Sequence, residues 1–160
     1  MTTTKQYLTM AYQAASKSPD PSTQNGAVIV TASGTATDCN RFPDRVKITD
    51  ERLKRPLKYS FIEHAERNAI FQASRQQLPI LGSTMYVPWF ACSDCARAII
   101  SVGIRRVVGH QKMLDGTPDH WKESIEHAFA MLKEAGVETD WFQEDIGGPK
   151  ILFNGSWFQP

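Results

Sequence analysis

Between residues 5 and 17 the apolar positions fall at Tyr7, Leu8, Ala11, Tyr12, Ala14 and Ala15. That spacing predicts one face of a helix, ended before Pro19 and Pro21. The period then changes. Residues 26–32 (GAVIVTA) form a strand-like run, Ser33-Gly34 a turn and residues 35–40 a second strand, so the pair reads as a hairpin. From Arg41 to Phe61 the periodicity dissolves into a loop of a length usual for functional or mobile segments. Residues 64–76 return to a helical pattern with Ala65, Ala69 and Ile70 facing inward. Short strands at 83–87 and 106–109 flank a helix over 92–102 that ends at Gly103. Thr117 and Pro118 are expected as N-cap and first residue of another helix. Its stripe is Trp121, Ile125, Ala128, Phe129 and Leu132, and Gly136 closes it. A last strand is expected over 137–142. Strands alternating with helices after residue 64 argue an α/β sheet covered by helices.

Composition narrows the class. The chain has 160 residues, 41% hydrophobic and 22% charged, which suits one folded domain over residues 1–160 and argues against disorder. Eighteen basic and seventeen acidic residues leave a formal charge of +1, so no global field draws nucleic acid or an anionic membrane. Residues 1–8 lack an apolar signal region, and the apolar runs are too short to span a bilayer. Three cysteines make no disulfide framework, and two sit in a C-x-x-C. The expectation is a cytoplasmic protein with no membrane association.

The candidate chemistry lies in His64-Ala65-Glu66 and Cys92-Ser93-Asp94-Cys95. Residues three apart on a helical turn face the same point, so Cys92 and Cys95 can share one ion. A helix start there favours ionised sulfurs. His64 opens another predicted helix, with one strand between. One imidazole and two thiolates suit zinc and leave a fourth tetrahedral position for water, the mark of a catalytic site. Glu66 beside such a water can move its proton to a ring nitrogen and then to a leaving amine. This fits hydrolytic deamination of an aminated heterocycle. Taken alone, C-x-x-C is equally a redox pair or two inert thiols, and H-x-E carries little. Cys39, in the first hairpin, reads as a buried thiol rather than a further ligand.

Together these residues resemble the H-x-E and P-C-x-x-C signature of zinc-dependent nucleobase and nucleotide deaminases. Residues 20–30 (DPSTQNGAVIV) are similar to the first strand and its approach in deoxycytidylate (dCMP) deaminases, and Asn40-Arg-Phe-Pro43 resembles their Asn-Gly-x-Pro stretch. Residues 64–70 and 95–100, with Gly103-Ile104, extend the likeness over about residues 5–110. The resemblance implies a three-layer α/β/α cytidine-deaminase-like fold with a central mixed five-stranded sheet, in a homo-oligomeric enzyme. It implies one Zn²⁺ per chain on His64, Cys92 and Cys95, with Glu66 as proton shuttle. Asn40 would hold the sugar or ring, and the Ala65 backbone N–H would meet the pyrimidine carbonyl. The implied reaction is dCMP to dUMP with release of ammonia, by attack of zinc-bound hydroxide on C4.

Four departures stand out, of which the first removes no ligand and the other three, at the sugar and phosphate end, leave the substrate open. Ala91 stands where the family has Pro, Arg41 where it has Gly, Asn25 where a hydrophobic residue is common, and Lys17 where Arg is frequent. Cytidine, cytosine, guanine or adenosine in transfer RNA remain alternatives within the chemistry, the last disfavoured by the neutral charge. From other classes, a non-catalytic subunit stabilised by zinc leaves Glu66 without a use, and a thiol redox protein leaves His64 and Glu66 incidental.

The loop over residues 41–59 carries seven cations against Asp44, Asp50 and Glu51, a local +4. It reads either as a phosphate-gripping lid, with Arg41 best placed beside Asn40, or as a solvated loop. Trp89 and Phe90 precede the cysteines, where an aromatic ring either stacks on a base or packs in the core. His110, His120 and His127 read as packing or surface residues. The apolar tail, residues 147–160, is expected on the domain or, favoured here, at a subunit boundary.

Overall fold

The computed structural model describes residues 2–160. Thr3 starts the first helix with a capping box: its hydroxyl accepts the Gln6 N–H, and Gln6 Oε1 accepts the Thr3 N–H at 2.7 Å. The helix, α1 (Thr4–Ala15), buries Leu8, Ala11, Tyr12, Ala14 and Ala15. Strands β1 (Gly26–Val30) and β2 (Thr35–Cys39) form the expected hairpin, with Val28 opposite Thr37.

After the long loop the elements run α2 (Ala65–Arg75), β3 (Thr84–Tyr86), α3 (Ser93–Ser101), β4 (Arg106–His110), α4 (Gln111–Asp115), α5 (Asp119–Glu134) and β5 (Glu138–Phe142). The five strands make one sheet in the order β2-β1-β3-β4-β5. β1 is antiparallel to both neighbours, while β3, β4 and β5 are parallel. Parallel neighbours need crossovers, and α3 and α5 supply them.

The two-residue period of a strand sorts the core into two faces. Ala27, Ile29, Met85 and Val107 pack with the buried sides of α2, α3 and α5. Val28, Tyr86 and Val108 pack with α1 and with Ile151 and Phe153 from the tail. Helices therefore cover both faces of a mixed sheet, the three-layer arrangement expected. Close contact of α1 with the sheet depends on Gly26, where a Cβ would lie 2.1 Å from the Ala11 carbonyl oxygen and 2.7 Å from the Ala15 nitrogen.

Three differences from the sequence pattern have local causes. Pro118, extended at φ −60° and ψ 146°, caps α5, which begins at Asp119. Thr117 is not the cap: its hydroxyl instead accepts the indole N–H of Trp89 at 3.1 Å. The α4 helix, with buried Met113, is too short to show periodicity. Within the loop, Leu57–Ser60 forms a 3₁₀ turn, and the backbones of Arg41 and Glu63 exchange two hydrogen bonds.

The tail is structured and seated on its own domain. β6 (Ile151–Phe153) and β7 (Ser156–Phe158) make a hairpin. Gln24 brackets Leu152, donating from its backbone N–H to the Leu152 carbonyl and accepting the Leu152 N–H on Oε1, each at 2.8 Å. Phe153 is buried, and Trp157, 69% exposed, is the large apolar side chain of the hairpin left outside. Among the described residues no helix is long and apolar enough to cross a membrane.

Candidate active site

The two motif segments meet at adjoining helix starts. His64 is the N-cap of α2 and Cys92 the N-cap of α3, both in extended conformation, and Cys95 stands in the first turn of α3. The His64 side chain makes no capping bond to its own helix, which leaves the imidazole directed to other work. His64 Nδ1 lies 3.5 Å from Cys92 Sγ and 3.5 Å from Cys95 Sγ. Tetrahedral zinc with bonds of ~2.0 Å to nitrogen and ~2.3 Å to sulfur places such atoms ~3.5 Å apart. All three ligand atoms lie within 4.8 Å of one another. The donor set and its spacing fit one zinc ion, and the dipoles of two helix N-termini favour the thiolate state.

Electrostatics around the set are asymmetric. A hydrogen bond from Cys95 is the main force bringing Cys92 down to about 4, and the same bond holds Cys95 well above the ordinary thiol range. Burial alone would lower His64, but its hydrogen bond to Cys92 and the charge of Glu66 carry it upward. Arg67, one helical turn along α2, donates from Nη1 to Cys95 Sγ at 3.5 Å and from Nε to Glu63 Oε1 at 2.6 Å. Glu63 Oε1 also accepts the His64 N–H at 2.8 Å. One carboxylate thus fixes the imidazole's backbone and the guanidinium that offsets thiolate charge.

Glu66 is 3% exposed and sits in the first turn of α2, where the helix dipole favours a carboxylate. Burial nevertheless raises its pKa above the ordinary value, with the charge of His64 pulling the other way. A carboxyl group held this way suits taking up and giving back a proton.

Glu66, His64, Ala65 and Cys92 line one solvent-open cleft, together with Asn40, Trp89 and Phe90. Ala65 is the first residue of α2, so its N–H has no acceptor within the helix. Asn40 Oδ1 accepts the Asn25 N–H and its Nδ2 donates to the Thr23 carbonyl, both at 2.8 Å, tying the approach to β1 against the end of β2. Trp89 is tied through both backbone groups to the Asn25 side chain. Phe90 is 2% exposed and stacks on Phe129 at 4.6 Å, so core packing claims most of its ring.

Arg41 is the exception among the expected residues. It lines a separate surface depression with Asp44 and Arg75. Its guanidinium is held by both oxygens of Asp38 and by Asp44 Oδ1, at 2.8–2.9 Å. The cations from the basic loop that do line the cleft are Arg55 and Lys58. The sequence reading missed Asp20, Tyr59 and Trp121 as lining residues. Asp20 accepts both the Ser22 N–H and the Lys58 ammonium, a local turn signal that the Asp-Pro-Ser sequence carried. The helical period predicts Trp121 only as part of the inner stripe of α5, and the structure brings it to the cleft. Cys39 is buried and outside the cluster, its thiol pushed up to about 11 chiefly by burial.

Comparison with known proteins agrees with this geometry. Residues 1–111 match the profile of the cytidine and deoxycytidylate deaminase zinc-binding region. A protein of Aliivibrio fischeri described as an uncharacterized deaminase in the luxG 3′ region is 36% identical over 143 residues, covering 89% of this chain and 95% of that one. Mouse deoxycytidylate deaminase is 33% identical over 140 residues, covering 82% and 74% of the two chains. The crystal structure of dCMP deaminase from cyanophage S-TIM5, in complex with dCMP and dUMP, superposes with a TM-score of 0.64. That match covers 85% of this chain and 93% of the other at 20% identity, a likeness of fold.

Proposed function

Since this chain belongs to the cytidine and deoxycytidylate deaminase family and is a zinc-dependent deaminase, we propose that it hydrolyses dCMP to dUMP and ammonia. The observation that carries the reading is one cleft lined by the buried Glu66, two of the three ligand residues and the cations Arg55 and Lys58. Support also comes from the mouse relative, a deoxycytidylate deaminase, and from the phage enzyme crystallised with dCMP and dUMP.

When bound by His64, Cys92 and Cys95, zinc supplies a Lewis acid that makes a water molecule acidic near neutral pH. Glu66 would accept a proton from the attacking water as the water oxygen bonds C4 of the ring, and would deliver that proton to N3. The second water proton passes through Glu66 to the exocyclic amine, the C4–N bond breaks and ammonia leaves. The product holds the oxygen at C4 and hydrogen at N3, and Glu66 ends as it began. The Ala65 N–H orients the ring through its 2-carbonyl, and Asn40 meets the sugar. Arg55 donates to Ser22 Oγ at 3.0 Å and has no carboxylate partner among the described residues. It, rather than Arg41, is the cation for the phosphate. The same family reading supports a cytoplasmic homo-oligomer, which light scattering and cell fractionation check.

Ammonia release from zinc-loaded protein tests the assignment, with cytosine, cytidine, deoxycytidine, CMP, dCMP, dCTP, guanine and adenine as substrates and Glu66→Ala as the blank. Turnover of dCMP well above deoxycytidine, abolished in the variant, is the expected result. Turnover restricted to unphosphorylated compounds would overturn the substrate and keep the chemistry.

A further inference from the structure

We propose that Trp121 is a substrate-binding residue whose indole packs on the aminated ring, an inference that rests on the deaminase reading above. Trp121 lines the cleft with Glu66 and His64. Its ring centroid is 6.0 Å from His64, 5.7 Å from Trp89 and 6.4 Å from Tyr59, in edge-to-face contacts. A ring that presents its amine-bearing carbon to the corner formed by His64 and Glu66 therefore lies within a ring's width of the indole. Aromatic groups interact at centroid separations of ~4.5–7 Å.

The two tryptophans of the cleft differ in how they are held. Trp89 is anchored: its N–H bonds Thr117, Asn25 engages both of its backbone groups, and Phe153 packs on it at 5.2 Å. Trp121 is partly exposed, and among the described residues its indole N–H meets no acceptor. Trp89 is thus a fixed wall, and Trp121, packed edge to face among other rings with no side-chain hydrogen bond, is the less firmly tied of the two. Tyr59, 48% exposed on the 3₁₀ turn of the loop, packs edge to face against it. Trp121 belongs to α5, beyond residues 1–111 that carry the family profile. The contact is therefore supplied by a part of the chain that the zinc motif does not specify. Its nearness to His64 assigns it to the base end of the substrate, not to the phosphate held by Arg55.

Steady-state kinetics of full-length, zinc-loaded Trp121→Ala and Trp121→Phe decide the matter. Base–aromatic contacts of this kind amount to roughly 5- to 100-fold in binding. Trp121→Ala is expected to raise KM by that factor for dCMP and deoxycytidine alike, with kcat within about threefold and zinc content unchanged. Trp121→Phe should fall between, and dUMP should quench its tryptophan fluorescence less than that of the parent. If the alanine variant fails to fold, the phenylalanine variant and its quenching carry the test. Unchanged KM with unchanged quenching overturns the proposal, as does a KM that rises for dCMP alone. A parent enzyme that ignores both cytosine compounds but deaminates another base overturns the dCMP assignment only. The same KM comparison with that base then decides the role of Trp121.

Discussion

Lys58 and Asp20 form an ion pair inside the cleft: Nζ donates to Oδ1 at 2.9 Å and to Oδ2 at 3.0 Å, with each side chain 6% exposed. The pair fastens the 3₁₀ turn of the long loop to the segment before β1, and Asp20 Oδ1 also accepts the Ser22 and Thr23 N–H groups. Breaking a buried pair from one side strands a charge and costs about 3–5 kcal/mol. Lys58→Met and Asp20→Asn are each expected to lower unfolding free energy by about that much in urea. The double variant should lose clearly less than the sum, and additivity would show that the two groups do not depend on each other.

Glu66→Gln should keep the fold and the metal while lowering kcat by about 10²–10⁴-fold. Burial already disfavours charge on this group, so an uncharged isostere fits the site without a stranded ion. Zinc analysis beside single-turnover kinetics checks both halves. Loss of zinc in this variant would move Glu66 from proton transfer to metal retention.

Cys95 is fully buried and bonded to both His64 and Arg67, so Cys95→Ser should reduce bound zinc from one per chain to near none. A chelator should abolish activity in the parent, and added Zn²⁺ should restore it. The midpoint of thermal unfolding should fall on chelation, because an ion bound only by the folded chain stabilises it.

His110 carries a pH dependence separate from catalysis. Its Nδ1 accepts the Tyr12 hydroxyl at 2.6 Å, and its Nε2–H donates to the Glu144 carbonyl at 3.2 Å. Burial holds its pKa below the ordinary imidazole value. The unfolded chain thus binds this proton more readily than the folded one, with an unfolded pKa of ~6.5. The stabilising contribution is complete above that pH and is lost as pH falls through the folded value. Urea unfolding from pH 8 to pH 5 should show stability declining below about pH 6.5. His110→Gln should remove that part of the slope while being less stable throughout, and a parallel slope would refute the assignment.

The fold was legible wherever a period ran long enough. The stripe of α1 follows the helical period and the β1–β2 hairpin a strand-like run broken by Ser33-Gly34, and their observed ends differ from expectation by a few residues. The zinc set was legible because His64, Cys92 and Cys95 bond through side chains whose chemistry is unusual at that spacing. Arg41 was misplaced for a physical reason. Proximity to Asn40 along the chain says nothing of direction, and Asp38, two residues before Asn40, holds the guanidinium in a separate depression. Trp121 was hidden because a helical stripe does not reveal which of its members reaches past the core to a cleft. Thr117 met a stronger demand than capping, the indole N–H of Trp89.

The seating of the tail hairpin has a consequence for synthesis of the chain. The metal ligands and Glu66 all lie between residues 64 and 95, whereas Phe153, the backing of Trp89, and Leu152, the partner of Gln24, come more than fifty residues later. A nascent chain emerging N-terminal end first therefore exposes its ligand set to the metal before the aromatic wall of the cleft has its support. Synthesis thus completes the ligand set before the wall of the cleft is backed, and a ribosome stalled short of residue 151 would carry a zinc-binding motif with no finished place for a base.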